Sequence, residues 1–273
     1  MEITDTPVVR LDGRTATAEQ LTPLAFAGYA HFTAVQVRDG LIRGLDLHLA
    51  RLRTASLEMF GRALPDAEVR SLIRDALADG SKDVSLTVTV YSTPGEFTAP
   101  AADAPPARPH VLVRTGPPAD GPAGPLSLAT VEYERPVPAI KHVGEVAKTY
   151  HLRRAVRDGF DDAVFVDRRG RLSEATIWNV AFWDGERVVW PDAEVLVGTM
   201  MSTVRRQLER MGVPQVVRPV TVADLPALAG AVVMNSWTPG VEVRRIGSVE
   251  LPEAADFTDL LHRAHRAEPA TAP

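Results

Sequence analysis

Lysine occurs at only three positions in this chain, Lys82, Lys141 and Lys148, while arginine supplies nearly all the positive charge. A codon bias toward arginine accounts for the imbalance. Under such a bias a lysine that persists calls for a chemical reason, because arginine neither forms a Schiff base nor shuttles a proton near neutral pH. Lys141 lies in PAIKHVGE, after Pro136 and Pro138 and just before an expected helix. That junction is the kind of place where catalytic groups sit. Lys148 falls inside an Arg-rich amphipathic helix and Lys82 follows a turn, and both settings suit solvated side chains.

Other residues carry suitable chemistry further along. Glu174, in RLSEATIWN, is a carboxylate at a strand end that can hydrogen-bond a protonated ring nitrogen, and it suits an exposed strand position equally well. Gly198-Thr199 precedes a helix from Met200 to Met211, where close backbone approach and free N–H groups favour an anion; Thr199 also reads as a plain helix cap. Asn235-Ser236 ends the apolar strand AVVM with two more polar groups. On an earlier helix, Arg51 has the fork shape that grips phosphate, with His48 three residues before it on the same face. There is no G-x-x-x-x-G-K-[ST], no G-x-G-x-x-G after a strand, no H-E-x-x-H and no G-x-S-x-G. With no cysteine in the chain, thiolate nucleophiles and Cys-ligated zinc are excluded, so metal chemistry would rest on His and carboxylates.

The elements that must hold these groups can be read from period and punctuation. Residues 31–37 and 41–45 form a hairpin around Asp39-Gly40, followed by a helix from an Asp46 cap to Gly61 and a second from Pro65 or Asp66 to Gly80. Residues 84–91 alternate as a strand, and 111–113 form another. Pro, Ala and Gly crowd 93–108 and 116–125, so the domains are expected at 1–115 and 127–273, joined by a linker at 116–126. The second half predicts strands near 127–133, 162–167, 171–183, 186–190, 215–219, 231–235 and 241–246. Helices are expected near 144–158, 200–211, 222–229 and 255–265. This is a mixed α+β pattern with antiparallel hairpins, and the final EPATAP reads as disordered.

At 273 residues and 45% hydrophobic, the chain can bury substantial cores. A net charge of −5 without a basic cluster argues against nucleic acid and acidic membranes and leaves a small molecule as the expected partner. No signal-like start and no long apolar run is present, so a cytoplasmic location is expected.

Taken in order, these segments resemble the fold-type IV pyridoxal 5'-phosphate enzymes, the class IV aminotransferase family: branched-chain and D-amino acid aminotransferases and 4-amino-4-deoxychorismate lyases. The likeness runs through HFTAVQVRDG, the H-x-x-R-L helix at His48 to Leu52, the K-H-x-x segment at Lys141, and RDGFDDAVFVDRRGRLSEATIWNVAF. It continues through Val197-Gly198-Thr199-Met200 and Asn235-Ser236. The resemblance implies two α/β domains with the cofactor site between them, the second carrying the Schiff-base lysine, in a homodimer. It implies that Lys141 holds pyridoxal 5'-phosphate and moves the substrate's α-proton, and that Glu174 pairs with the pyridine nitrogen. Arg51, Gly198, Thr199, Asn235 and Ser236 would bind phosphate, with Asn179 on the strand after Glu174.

Transaminase and lyase share these cofactor contacts, so substrate-side residues must separate them. Phe32-Thr33 resembles the F-T pair of the lyases, whereas Tyr91-Ser92 stands where many relatives carry an R-G pair; Arg135 or Arg244 could replace that arginine. An aminotransferase linking an amino acid or amine to a keto acid is the first expectation, with Phe32, Thr33 and Tyr91 near the substrate. A C–O lyase is second. A non-catalytic binding protein on the same scaffold is third, opposed by the joint presence of Lys141 and Glu174.

Overall fold

A computed structural model of the chain describes residues 7–26, 28–78, 80–93, 99, 101 and 103–273. They form two compact units. The first takes the described residues up to Ala119 plus Ile140–Gly144 and Ala270–Pro273; the second takes Asp120–Ala139 and Glu145–Pro269. The first division falls inside the expected 116–126 linker. The segment carrying Lys141, however, groups with the first unit and not with the C-terminal one in which the sequence placed it. The reason is backbone pairing: Phe32 N–H donates to the Lys141 carbonyl (2.8 Å) and Val143 N–H to the Ala30 carbonyl (3.0 Å).

The first unit contains β1 (Val9–Leu11), β2 (Arg14–Thr15), α1 (Ala18–Phe26), β3 (Ala30–Val37), β4 (Ile42–Arg43), α2 (Leu45–Phe60), α3 (Asp66–Leu77), β5 (Val84–Tyr91) and β6 (His110–Gly116). Its antiparallel sheet has the order β2-β1-β6-β5-β3. Alternation along β5 buries Val84, Leu86, Val88 and Val90, in one core with Leu49 and Leu52 of α2 and Val69, Leu72 and Ile73 of α3. The Asp39-Gly40 turn has φ of 53° and 74° at its two residues, conformations that Asp tolerates and Gly adopts freely. Helix α2 starts on Gly44, which is left-handed at φ 66°, and Asp46 lies within its first turn instead of capping it. The elements β1, β2 and α1, short or marginally amphipathic, escaped the sequence reading.

The second unit contains β7 (Leu126–Glu132), α4 (Val146–Arg157), β8 (Asp162–Val166), β9 (Leu172–Ala175), β10 (Asn179–Trp183), β11 (Val188–Pro191), α5 (Thr199–Arg210), β12 (Gln215–Arg218), a 3-10 turn over Val222–Ala227, β13 (Gly230–Asn235), β14 (Thr238–Ile246), β15 (Val249–Glu250) and α6 (Ala255–Ala267). The sheet follows the order β12-β11-β10-β13-β14-β7-β8-β9, and β9 also pairs with β10, so the strands from β10 round to β9 close on themselves. Val180 and Phe182 of β10 pack into the barrel core with Val233 of β13, while Ala181, Val232 and Met234 pack with Val204 and Leu208 of α5 and Leu261 of α6. Beyond α6 the chain returns as β16 (Ala270–Thr271), paired with β4 of the first unit. Arg70 and Arg74 donate to the carbonyls of Ala272 (3.2 Å) and Pro273 (2.9 Å). The expected disorder of EPATAP is thus overturned: a local composition without hydrophobic periodicity is ordered by partners some 200 residues away in sequence. No helix among the described residues is long and apolar enough to cross a membrane.

Two histidines are sealed between β3 and α2. His31 Nε2 meets Ser56 Oγ at 2.9 Å and His48 Nδ1 meets Thr33 Oγ1 at 2.6 Å. Burial lowers His31 to about 4; burial, with a smaller push from Arg51 against the pull of Asp46, lowers His48 to about 3. Between pH 6.5 and about 4 the unfolded chain therefore binds protons that the folded chain refuses, so stability falls as pH drops through that window, by up to about 1.4 kcal/mol per pH unit for each histidine. Carboxylates whose pKa is lowered, such as Asp167 and Asp224, add to the loss from about pH 5 downward, and Asp162, pushed up by burial, opposes it, so the histidine contribution is read from the difference between parent and variant. Urea unfolding at a series of pH values should show this loss in the parent and a flatter profile in His48→Gln; equal slopes would contradict the assignment.

Candidate functional site

In the first unit the two faces of β3 divide the labour. Thr33 is 1% exposed and hydrogen-bonded to His48 on the α2 side. Phe32, its neighbour, points to the opposite face because side chains alternate along a strand, and the Lys141 Nζ stands 4.7 Å from its ring centroid. The F-T pair is therefore split: Phe32 touches Lys141, whereas the Thr33 hydroxyl is spent inside the core. Tyr91 is also committed elsewhere. Its hydroxyl donates to the Gln20 carbonyl of α1 at 2.8 Å, and burial, followed by Asp12, pushes it up. Arg51 follows His48 by one helical turn on α2, close enough for its charge to depress that imidazole.

In the second unit the other candidates converge. Glu174 on β9 lies opposite Asn179 on β10, and Asn179 lies opposite Met234 on β13, next to Asn235. Asn179 Nδ2 donates to the Leu196 carbonyl (2.7 Å), and a Cβ added to Gly198 would come within 2.0 Å of Asn179 Oδ1. Asn179 thus fixes the loop before α5, and only glycine fits against it. Thr199 opens that helix and is buried, with first-turn N–H groups pointing out of the N-terminus as an anion seat. Asn235 Oδ1 accepts from the Trp237 N–H (2.8 Å), closing the turn that presents Ser236. Trp237 stands edge-on to Trp178, with 5.8 Å between ring centroids.

Two features escaped the sequence reading. Lys148, assigned to a solvated helix face, is buried, and its Nζ meets Glu174 Oε1 at 2.9 Å. Arg135, offered as a substrate-carboxylate arginine, is only 2% exposed at its side chain and is bound at 2.6 Å to Glu145, with Glu174 at 3.8 Å. Arg244 is exposed on β14, within electrostatic reach of Asp161. The second missed feature is Asp162 on β8. Its carboxylate accepts from Thr176 Oγ1 (2.6 Å), Trp178 Nε1 (2.9 Å) and its neighbour's backbone N–H (2.6 Å), gripping the turn that joins Glu174 to Asn179. Burial pushes this carboxyl up against the downward pull of its donors.

The sequence that builds this geometry matches the family described as Amino-transferase class IV over residues 30–246. The chain belongs to the class IV amino-transferase family. Among solved structures, 4-amino-4-deoxychorismate lyase from Pseudomonas aeruginosa is 23% identical, with 95% of this chain and 98% of that one covered at a TM-score of 0.77. A hypothetical aminotransferase from Mycobacterium tuberculosis, in its PLP-bound form, is 20% identical (96% and 98% covered, TM-score 0.78). The branched-chain aminotransferase from the thermophilic archaeon Thermoproteus uzoniensis, with norvaline, is 18% identical (94% and 93% covered, TM-score 0.77). At these identities the structures establish a shared class IV fold of two domains. No curated protein matches in sequence.

The class IV barrel depends on Asp162 at its closing turn. Asp162→Ala leaves buried donors on Thr176 and Trp178 without an acceptor and is expected to cost about 2–4 kcal/mol. Urea unfolding measures this; unchanged stability would show that the turn holds without it.

Proposed function

We propose that this chain is a pyridoxal 5'-phosphate enzyme that transfers an amino group between an amino acid or amine and a keto acid, with Lys141 as its Schiff-base residue. The observation that carries the reading is the register pair of Glu174 on β9 with Asn179 on β10, with Gly198 at the N-terminus of α5 fitted against Asn179 and Asn235 one residue beyond Met234, the β13 partner of Asn179. The groups fit the cofactor's chemistry. A buried carboxylate suits a protonated ring nitrogen, and a helix N-terminus with a glycine that tolerates no side chain suits a phosphate. When bound, the cofactor supplies an electron sink for the carbon that carries the substrate amine.

The chain's own residues would do the rest. Lys141 Nζ holds the cofactor aldehyde and, when released, carries the proton between the substrate's α-carbon and the site. Its segment is pinned to β3 by two backbone hydrogen bonds, so the amine starts from a fixed place above the Phe32 ring. Glu174 holds the ring nitrogen's proton. Gly198, Thr199 and Ser236 would bind phosphate together with Arg51, while Asn179 and Asn235 shape the loops that present those groups. The family resemblance also carries a homodimer into this proposal.

A second reading, a pyridoxal phosphate-dependent C–O lyase, is favoured by one observation. Arg135, which could have bound a substrate carboxylate in an aminotransferase, is held by Glu145 and the buried Glu174 instead. The two are separated by product. An aminotransferase consumes an amino donor only in the presence of a keto acid and returns a new amino acid; a lyase releases pyruvate from aminodeoxychorismate with no acceptor. Lys141→Ala should abolish either activity by at least about a thousandfold while leaving the melting temperature near that of the parent. Retention of turnover in Lys141→Ala would overturn the assignment.

A further inference from the structure

The most unusual feature outside the expected chemistry is the company Glu174 keeps. Four charged side chains meet in the second unit: Lys148 from α4, Glu145 just before that helix, Arg135 from the segment after β7, and Glu174 from β9. Side-chain exposures are 8% for Lys148, 5% for Glu174, 2% for Arg135 and 22% for Glu145. Two cations and two carboxylates balance, which is how buried charges are tolerated. Aromatic rings pack around them: Phe165 of β8 lies 4.7 Å from Tyr133 and 5.9 Å from His151, and the Lys148 Nζ is 6.0 Å from the Phe165 centroid. Tyr133 feels the group directly, its hydroxyl pushed up by burial and then by Glu145, with Arg135 opposing and Glu174 adding. Lys148 is therefore a costly residue at this position. A buried ammonium carries a desolvation cost that an apolar side chain does not, and here that cost is offset by its pairing with the buried Glu174 carboxylate.

We propose that Lys148 is the resident counter-ion of Glu174: it holds the carboxylate in place in the cofactor-free protein, and the cofactor's ring nitrogen has to compete with it. The inference rests on the reading of Glu174 as the ring partner. Without Lys148, Glu174 would be left with Arg135 at 3.8 Å, which is already bound to Glu145 at 2.6 Å. The Lys148 contact at 2.9 Å supplies the missing charge. A protonated ring arriving at Glu174 adds a positive charge to a balanced set, so the lysine must yield part of its hold. Lys148 is a positioning residue in this scheme. It makes the empty protein sturdier and cofactor binding weaker than Glu174 alone would give.

The test is a double-mutant cycle on the full chain after removal of cofactor, using Lys148→Met, Glu174→Gln and the pair. Melting temperature is read without cofactor, and affinity is read with pyridoxal 5'-phosphate as the titrant. The expected result has two parts. Lys148→Met melts lower than the parent when empty, yet binds pyridoxal 5'-phosphate roughly tenfold more tightly, equivalent to about 1.4 kcal/mol. That gain vanishes in the double variant. If Lys148→Met proves too unstable, Lys148→Gln, which keeps a hydrogen-bond donor without the charge, carries the same comparison. Weaker cofactor binding in Glu174→Gln with no gain in Lys148→Met would overturn the counter-ion role and leave the function intact. Unchanged affinity in Glu174→Gln would overturn the reading of Glu174 itself, and the inference with it.

Discussion

The barrel of the second unit closes at one register pair, Glu174 against Asn179, and the functional geometry follows from that closure. Strands β9 and β10 are consecutive, joined by a turn too short to wander, and Asp162 clamps it by accepting from Thr176 and Trp178. Once the turn is fixed, strand alternation does the rest. Asn179 shares its face with Ala181, toward α5, which brings its amide to the Leu196 carbonyl and the bare backbone of Gly198. The Glu174 carboxylate and the N-terminus of α5 are thus tied to the same strand pair, one through register and the other through the Asn179 side chain.

Charge burial imposes the second constraint. Glu174 sits at the closure in the company of Lys148 and Arg135, and Arg135 is in turn balanced by Glu145. The first unit obeys a parallel logic with neutral groups. His31 and Thr33 of β3 face α2 and pair with Ser56 and His48, which leaves the opposite face of β3 to Phe32 and, above it, Lys141. The segment is tied to β3 through backbone groups, the Lys141 carbonyl among them.

Much of this was legible from the sequence because it is local. Alternation in VSLTVTVY, the Asp39-Gly40 turn and the helical stripe of α2 each follow from neighbours a few residues apart. Glu174 and Asn179 could be named from their order, and the strand register pairs them, while Gly198 meets Asn179 through its side chain. What stayed hidden depends on distant partners. Lys148 looks solvated on an Arg-rich helix, and only the packing of α4 over β8 shows that it is not. The hydrogen bonds of Thr33 with His48 and of Tyr91 with the Gln20 carbonyl have no local signal either, and the ordering of the C-terminal residues comes from β4 and α3. Lys141 does stand just ahead of a helix, but the unit it joins is decided by pairing with β3, which no local pattern announces.

Three lysines make the central claim unusually direct to examine, since any of them could in principle hold an aldehyde cofactor. Borohydride reduction of the protein loaded with pyridoxal 5'-phosphate, followed by proteolysis and mass mapping of the modified peptide, assigns the linkage to one residue. The expected result is a single adduct on Lys141, with Lys82 and Lys148 unmodified. An adduct on Lys148 would contradict the proposal, because it would make the partner of Glu174 the covalent anchor and leave the amine above Phe32 without a role.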